Sequence, residues 1–288
     1  MLGLDPDPQW LWPRAVELAG PGDRSASAAT LAATSVRIHC SLAIAAAGEQ
    51  CVAVKLQVAC FERLGAPGFA ALADVAAEAR AAGLLVIADA KRGDIDVSAA
   101  AYAQAYFGAT ATPFGEVVGL GADALTVNPL LGRDAIAPFI EAARPRGSGL
   151  FVLARTSNPG AADVQARALA SGGSVSDRLA ELIDALGAGG VGRAGLSDVG
   201  AVVGATAPEL LERLRALMPR AIFLLPGVGA QGGRVEELAA AFAPGRAAAL
   251  ISASRGIVHA YQRAGGEPGD AARREASRLR ELAWALRG

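Results

Sequence analysis

Short apolar runs alternate with longer amphipathic stretches along all 288 residues. Short apolar runs bounded by Gly, Pro or acidic residues predict buried strands, and the longer periodic stretches predict helices. The first strand covers the opening residues to Asp5, and a loop with Pro6, Pro8 and Pro13 separates it from a helix over 36–47. Strands at 51–58, 84–89, 124–127 and 149–153 follow, with helices over 67–82, from Asp94 onward, over 133–143 and over 161–186. The last of these is interrupted at Gly172-Gly173. Strands at 201–204, 222–225 and 248–252 complete the set, with helices opening at Pro208 and covering 234–242 and 255–263. Eight strands, each followed by a helix, imply a parallel sheet. At this length they predict an α/β chain folded as one (β/α)8 TIM barrel over 1–288, with an outer helix over about 270–286. A doubly wound open sheet shows the same alternation and stands as the alternative.

Composition narrows the class. The chain is 52% hydrophobic with a net charge of -1, so nothing electrostatic favours nucleic acid or an anionic membrane. No uninterrupted apolar run reaches the length of a membrane span, and the start has no basic segment followed by an apolar one. Cys40, Cys51 and Cys60 are odd in number and lack metal-ligand spacing, which fits a reducing cytoplasm. His39 and His259 are the only histidines. A Ser-His-Asp site or a His-rich metal site is therefore hard to build.

Polar residues gather at the predicted strand ends, where a barrel of this type places its chemistry. Asp89, Lys91, Arg92 and Asp94 crowd the end of the third strand. Strand periodicity puts Asp89 and Lys91 on one face, and Asp94 falls at a helix N-cap position. Lys55 sits inside the apolar run Val52-Ala53-Val54-Lys55-Leu56. A buried lysine needs a partner, and Asp89 on the neighbouring strand is the natural one. Asp5, Asn128 and Arg155-Thr156-Ser157 end other strands. After the seventh strand comes Pro226-Gly227-Val228-Gly229-Ala230-Gln231-Gly232-Gly233, and after the eighth Ser252-Ala253-Ser254-Arg255-Gly256. Glycine-rich backbone and an arginine at these two ends suit a phosphate. The spacing of Gly227, Gly229 and Gly232 is that of a dinucleotide fingerprint, but no acidic residue follows where one is required and the motif comes late.

Asp89-Ala90-Lys91-Arg92-Gly93-Asp94-Ile95 resembles the D-x-K-R-x-D-I signature of the orotidine 5'-phosphate decarboxylase family. Gly3-Leu4-Asp5-Pro6, Ala53-Val54-Lys55-Leu56-Gln57 with Phe61-Glu62, Thr156-Ser157-Asn158-Pro159-Gly160-Ala161 and 226–233 resemble its other motifs. The 127–132 segment and the length resemble its longer bacterial (type 2) subgroup. The resemblance implies a lyase of pyrimidine biosynthesis that converts orotidine 5'-monophosphate to UMP and CO2. It needs no cofactor and no metal, and acts as a cytoplasmic homodimer without nucleic-acid or membrane partners. It implies Asp89, Lys91 and Asp94 as the catalytic array, with Lys91 the proton donor to C6 and Asp94 reaching the partner's site. Asp5 and Lys55 would hold the ribose, Ser157 the pyrimidine, and Gly229, Gln231, Ser254 and Arg255 the phosphate. Ser98 stands where the family often has Thr and retains the hydroxyl for substrate. Asp96 stands where it often has Gly. A helix usually precedes the first strand in the family, so either the barrel bottom is less covered here or the protein begins upstream. Two other classes share parts of this pattern. One is a Mg²⁺-dependent sugar-phosphate decarboxylase or epimerase, with Glu62 as an added ligand. The other is a nucleotide-binding barrel without catalysis.

Overall fold

The computed structural model describes residues 1–20, 26–229 and 231–286; Ala230, within the glycine-rich loop, lies outside the described residues. Along the chain come β1 (Leu2–Leu4), α1 (Pro13–Ala19), α2 (Ala28–Ala47), β2 (Ala53–Gln57), α3 (Val58–Glu62), α4 (Ala66–Ala81), β3 (Leu85–Arg92) and α5 (Asp96–Tyr106). Then follow β4 (Ala109–Thr112), β5 (Gly115–Val118), β6 (Ala124–Val127), α6 (Arg133–Ala143), β7 (Gly149–Arg155), α7 (Ala161–Val164), α8 (Val175–Gly187), β8 (Val199–Val203) and α9 (Leu211–Leu217). The chain closes with β9 (Phe223–Pro226), β10 (Ala249–Ser252), α10 (Arg255–Val258), α11 (Tyr261–Ala264) and α12 (Pro268–Ala285).

Eight parallel strands form one sheet in the order β1-β2-β3-β6-β7-β8-β9-β10. Leu2 also forms a parallel bridge with Ala253, just past β10, so β1 is paired on both sides. An open doubly wound sheet would leave β1 or another strand with a bare edge; the fold is the (β/α)8 TIM barrel. Local chemistry sets many of the boundaries. Ser27 accepts the Thr30 amide at the start of α2, and Ser174 and Asp177 form a reciprocal capping box on α8. The strands β6 and β8 are buried along their whole length, as parallel strands covered on both faces must be.

By their own contacts the residues divide into two compact units, Met1–Ala90 with Ala253–Arg280, and Lys91–Ser252 with Glu281–Gly288. In the first, α2 packs against α1 and α4. It starts at Ala28, well ahead of the predicted helix. Helix and following turn, Ala28–Gln50, are long and apolar enough to span a membrane by length and composition, contrary to expectation. Val36, His39, Cys40 and Ala43 are buried in the unit, so this apolar face belongs to its core. Trp12 donates its backbone N–H to Nδ1 of His39 (3.0 Å) and its indole N–H to the Val258 carbonyl (2.9 Å).

Burial, helped by His259, pushes His39 down to about 4 from its ordinary value of 6.5. As the pH falls, the unfolded chain therefore takes up this proton before the folded one does. The contribution is complete above about pH 6.5 and is lost towards about pH 4, a total of about 3 kcal/mol. Denaturant unfolding is expected to show up to about 1.4 kcal/mol more loss per pH unit in the native protein than in His39→Gln across that window. Identical pH slopes in the two proteins would refute the linkage.

The second unit holds two features that periodicity missed. β4 and β5 form an antiparallel hairpin with Ala109 opposite Val118. Neither strand has a buried face, and Phe114 at the turn is 99% exposed, so no apolar alternation marks them. The guanidinium of Arg215 is buried, lies 3.7 Å from the Phe223 ring centroid and donates to the carbonyls of Met218, Ala221, Ala241 and Ala248. Several predicted boundaries also move. β3 continues to Arg92, residues Val235–Phe242 form a 3-10 helix, and the helix predicted over 255–263 splits into α10 and α11.

Candidate active site

The first unit places Lys55 on β2 beside Asp89 on β3, with Gln57 paired in register with Asp89. Lys55 Nζ donates to Asp89 Oδ2 at 2.7 Å and to Asp5 Oδ1, just beyond β1, at 3.4 Å. Gln57 Nε2 donates to the same Asp89 oxygen at 3.2 Å. Lys55 and Asp89 are buried, at 5% and 7% exposure. Burial alone would lower the lysine's pKa, but the carboxylates of Asp5 and Asp89 outweigh it and raise the value, so the ammonium stays charged. The predicted pairing is present, with Gln57 as a partner that the sequence pattern did not single out. Gly3 lets β1 pass close to the last strand's end: a Cβ there would meet Cβ of Ser254 at 2.8 Å. Ser254 precedes α10, and the exposed Arg255 opens it.

In the second unit, Lys91 is exposed and has φ +48, a left-handed conformation unusual for a non-glycine residue. Its backbone N–H is held by Oγ1 of the buried Thr126 on β6 at 2.9 Å. Such strain collects at functional sites when the surroundings enforce it. Asp96 is the other non-glycine residue of positive φ among those described, at +45, which accounts for a preference for Gly at this position. Asp94 is not the N-cap: Ile95 is, and the Asp94 carboxylate accepts the Ile95 amide at 2.8 Å. Ser98 is exposed in the first turn of α5. Arg92 lies over the rings of Tyr102 and Tyr106 at 5.4 and 5.9 Å, a packing role.

Ser157 and Gln231 meet around Gly227. A Cβ on Gly227, whose φ is +103, would strike Gln231 Oε1 at 2.9 Å and approach Thr206 and Ser157 at 3.4 and 3.5 Å. The glycine thus allows three polar side chains to converge, and Thr206 is the one that sequence reasoning passed over. Gly229 is exposed with φ +75, and its N–H donates to the Gly233 carbonyl at 2.9 Å, closing the loop on itself. Gln165 Oε1 accepts the Thr156 amide at 2.8 Å, which steadies the segment that carries Ser157.

The orotidine 5'-phosphate decarboxylase / HUMPS family model matches residues 32–266. The chain belongs to this family. Over 208 residues it is 50% identical to an orotidine 5'-phosphate decarboxylase of Deinococcus radiodurans, covering 72% of this chain and 71% of that one. Over 234 residues it is 44% identical to the Rhodopirellula baltica protein of the same name, covering 81% and 76%. The solved Leishmania donovani UMP synthase matches 99% of this chain with a TM-score of 0.70 at 31% identity, and this chain spans 53% of it. The residues that sequence reasoning overlooked, Gln57, Thr126 and Thr206, carry no charge, and Gln57 stood in a motif without a role of its own. Only the tertiary fold brings Gln57 to Asp89, Thr126 to the Lys91 amide and Thr206 to Ser157 and Gly227.

Proposed function

We propose that this family member decarboxylates orotidine 5'-monophosphate to UMP and CO2 without a cofactor, in the cytoplasm. The array of buried Lys55 and Asp89 with Asp5, whose Asp89 lies on the strand that also carries Lys91, supports this reading most directly. Breaking the C6–carboxylate bond leaves the electron pair on C6. The Lys91 ammonium stabilises that charge as it develops and then donates its proton to C6, and solvent restores the lysine. Asp89 beside the substrate carboxylate raises the energy of the bound ground state, a stress relieved as CO2 departs. Asp5 and Lys55 hold the ribose hydroxyls, and Ser157 the pyrimidine amide. Gly229, Gln231, Ser254 and Arg255 hold the phosphate, whose binding energy is remote from the reacting bond.

The protein acts as a homodimer in which Asp94 and Ser98 serve the partner's substrate. Ile95 and Val97, the apolar neighbours of Asp94, are 51% and 83% exposed, as residues awaiting a cover would be. The test is the ultraviolet absorbance change on adding orotidine 5'-monophosphate, with and without EDTA. Equal rates in both are expected. No change at all sinks the substrate assignment. Loss with EDTA and recovery with Mg²⁺ points to the sugar-phosphate class instead.

A further inference from the structure

Arg255, assigned above to the substrate phosphate, opens α10, a single turn of four residues. One turn of helix fixes several residues for very few hydrogen bonds and does not hold itself in place. Its position rests on what its carbonyls meet outside the turn. The carbonyls of Arg255 and Ile257 accept the amides of His259 and Ala260 at 3.0 and 3.1 Å, from the chain's own continuation. The other two carbonyls accept from side chains. Arg263 Nη2 donates to that of Gly256 at 3.0 Å, and the indole N–H of Trp12 donates to that of Val258 at 2.9 Å.

Of these two side chains, Trp12 ties the turn to a distant part of the sequence. It is buried just ahead of α1 and is itself held in place. Its backbone N–H donates to Nδ1 of the buried His39 on α2, and its ring meets that imidazole edge-on with centroids 5.4 Å apart. On the other side of the turn, the Gly3 amide donates to the Ala253 carbonyl at 2.9 Å. The start of α10 is thus anchored by the backbone of β1, and its end by one indole. A long arginine side chain loses rotamer freedom when it grips an anion, and a fixed backbone beneath it lowers that cost. Without the indole N–H, the carbonyl of the buried Val258 loses its donor and the end of the turn is released.

We propose that Trp12, helped by Arg263, is a positioning residue for phosphate recognition. It acts through the Val258 carbonyl, holding the turn that aims Arg255, and rests on the assignment of Arg255 to the phosphate. UMP and uridine are titrated against the native protein, Trp12→Phe, Arg255→Gln and the double variant. Trp12→Phe keeps an aromatic ring and loses the indole N–H. It is expected to weaken UMP about tenfold and to leave uridine, which has no phosphate, unchanged. In the Arg255→Gln background it should weaken UMP no further. Equal losses for UMP and uridine, a UMP loss that persists without Arg255, or no UMP loss at all overturns the positioning role. Arg255→Gln separates the two failures. If it leaves UMP affinity unchanged, the phosphate assignment fails and takes the positioning role with it. If it weakens UMP while Trp12→Phe does not, the positioning role fails alone. Should Trp12→Phe not fold, Arg263→Met, which releases the Gly256 carbonyl of the same turn, takes its place in the comparison and is read in the same way.

Discussion

Lys91→Ala is expected to lower kcat by about four orders of magnitude or more while leaving the fold and UMP binding nearly intact. Two effects reside in one ammonium: stabilisation of charge at C6, worth about 10²–10³, and proton delivery, worth about 10²–10⁴. The side chain is exposed, so its loss opens no cavity. The backbone constraint survives, because Thr126 holds the Lys91 backbone amide, which alanine keeps. Alanine at φ +48 is strained to much the same degree as lysine, so the unfolding midpoint should hardly move. Steady-state decarboxylation and UMP titration, run on the same preparation, check this. Turnover near that of the native protein would remove Lys91 from the mechanism, and loss of UMP binding would show that it acts on the ground state.

The second large effect is on stability. Lys55→Met is expected to cost about 3–5 kcal/mol, because it removes the buried ammonium that holds the Asp89 carboxylate at 2.7 Å. Adding Asp89→Asn to Lys55→Met should recover much of that loss, since a neutral amide can still accept from Gln57 and carries no charge to bury. Urea unfolding of the native protein, the single variant and the double variant measures the coupling. A single-variant cost below about 1 kcal/mol would mean that water reaches Asp89 and screens it. Neither variant should turn over substrate, because Lys55 and Asp89 both belong to the proposed site.

Much of the site was legible because charge in an apolar strand demands a partner. The burial cost of Lys55 within β2 called for a partner, the adjacent strand pointed to Asp89, and the pair lies at 2.7 Å. The interruption at Gly172-Gly173 was legible from glycine, and the chain there does separate α7 from α8. The β4–β5 hairpin was not, because neither strand has a buried face to impose a period of two. Asp94 was misplaced at the N-cap because β3 runs on to Arg92 and delays the helix. The apolar stretch of α2 passed unnoticed in sequence as a span-length segment, since small alanines spread its hydrophobicity thinly; packing against α1 and α4 absorbs it.

The sequence by itself determined the strand–helix alternation, the pairing of Lys55 with Asp89, and membership of a decarboxylase family through motifs that lie within short segments. Side-chain period and turn chemistry act over a few residues, and the burial cost of Lys55 called for a carboxylate on an adjacent strand. Tertiary structure alone decided the left-handed backbone at Lys91 and the gathering of Ser157, Thr206 and Gln231 around Gly227. Each of those depends on which strand or helix lies alongside, and such neighbours are set by contacts between residues dozens of positions apart.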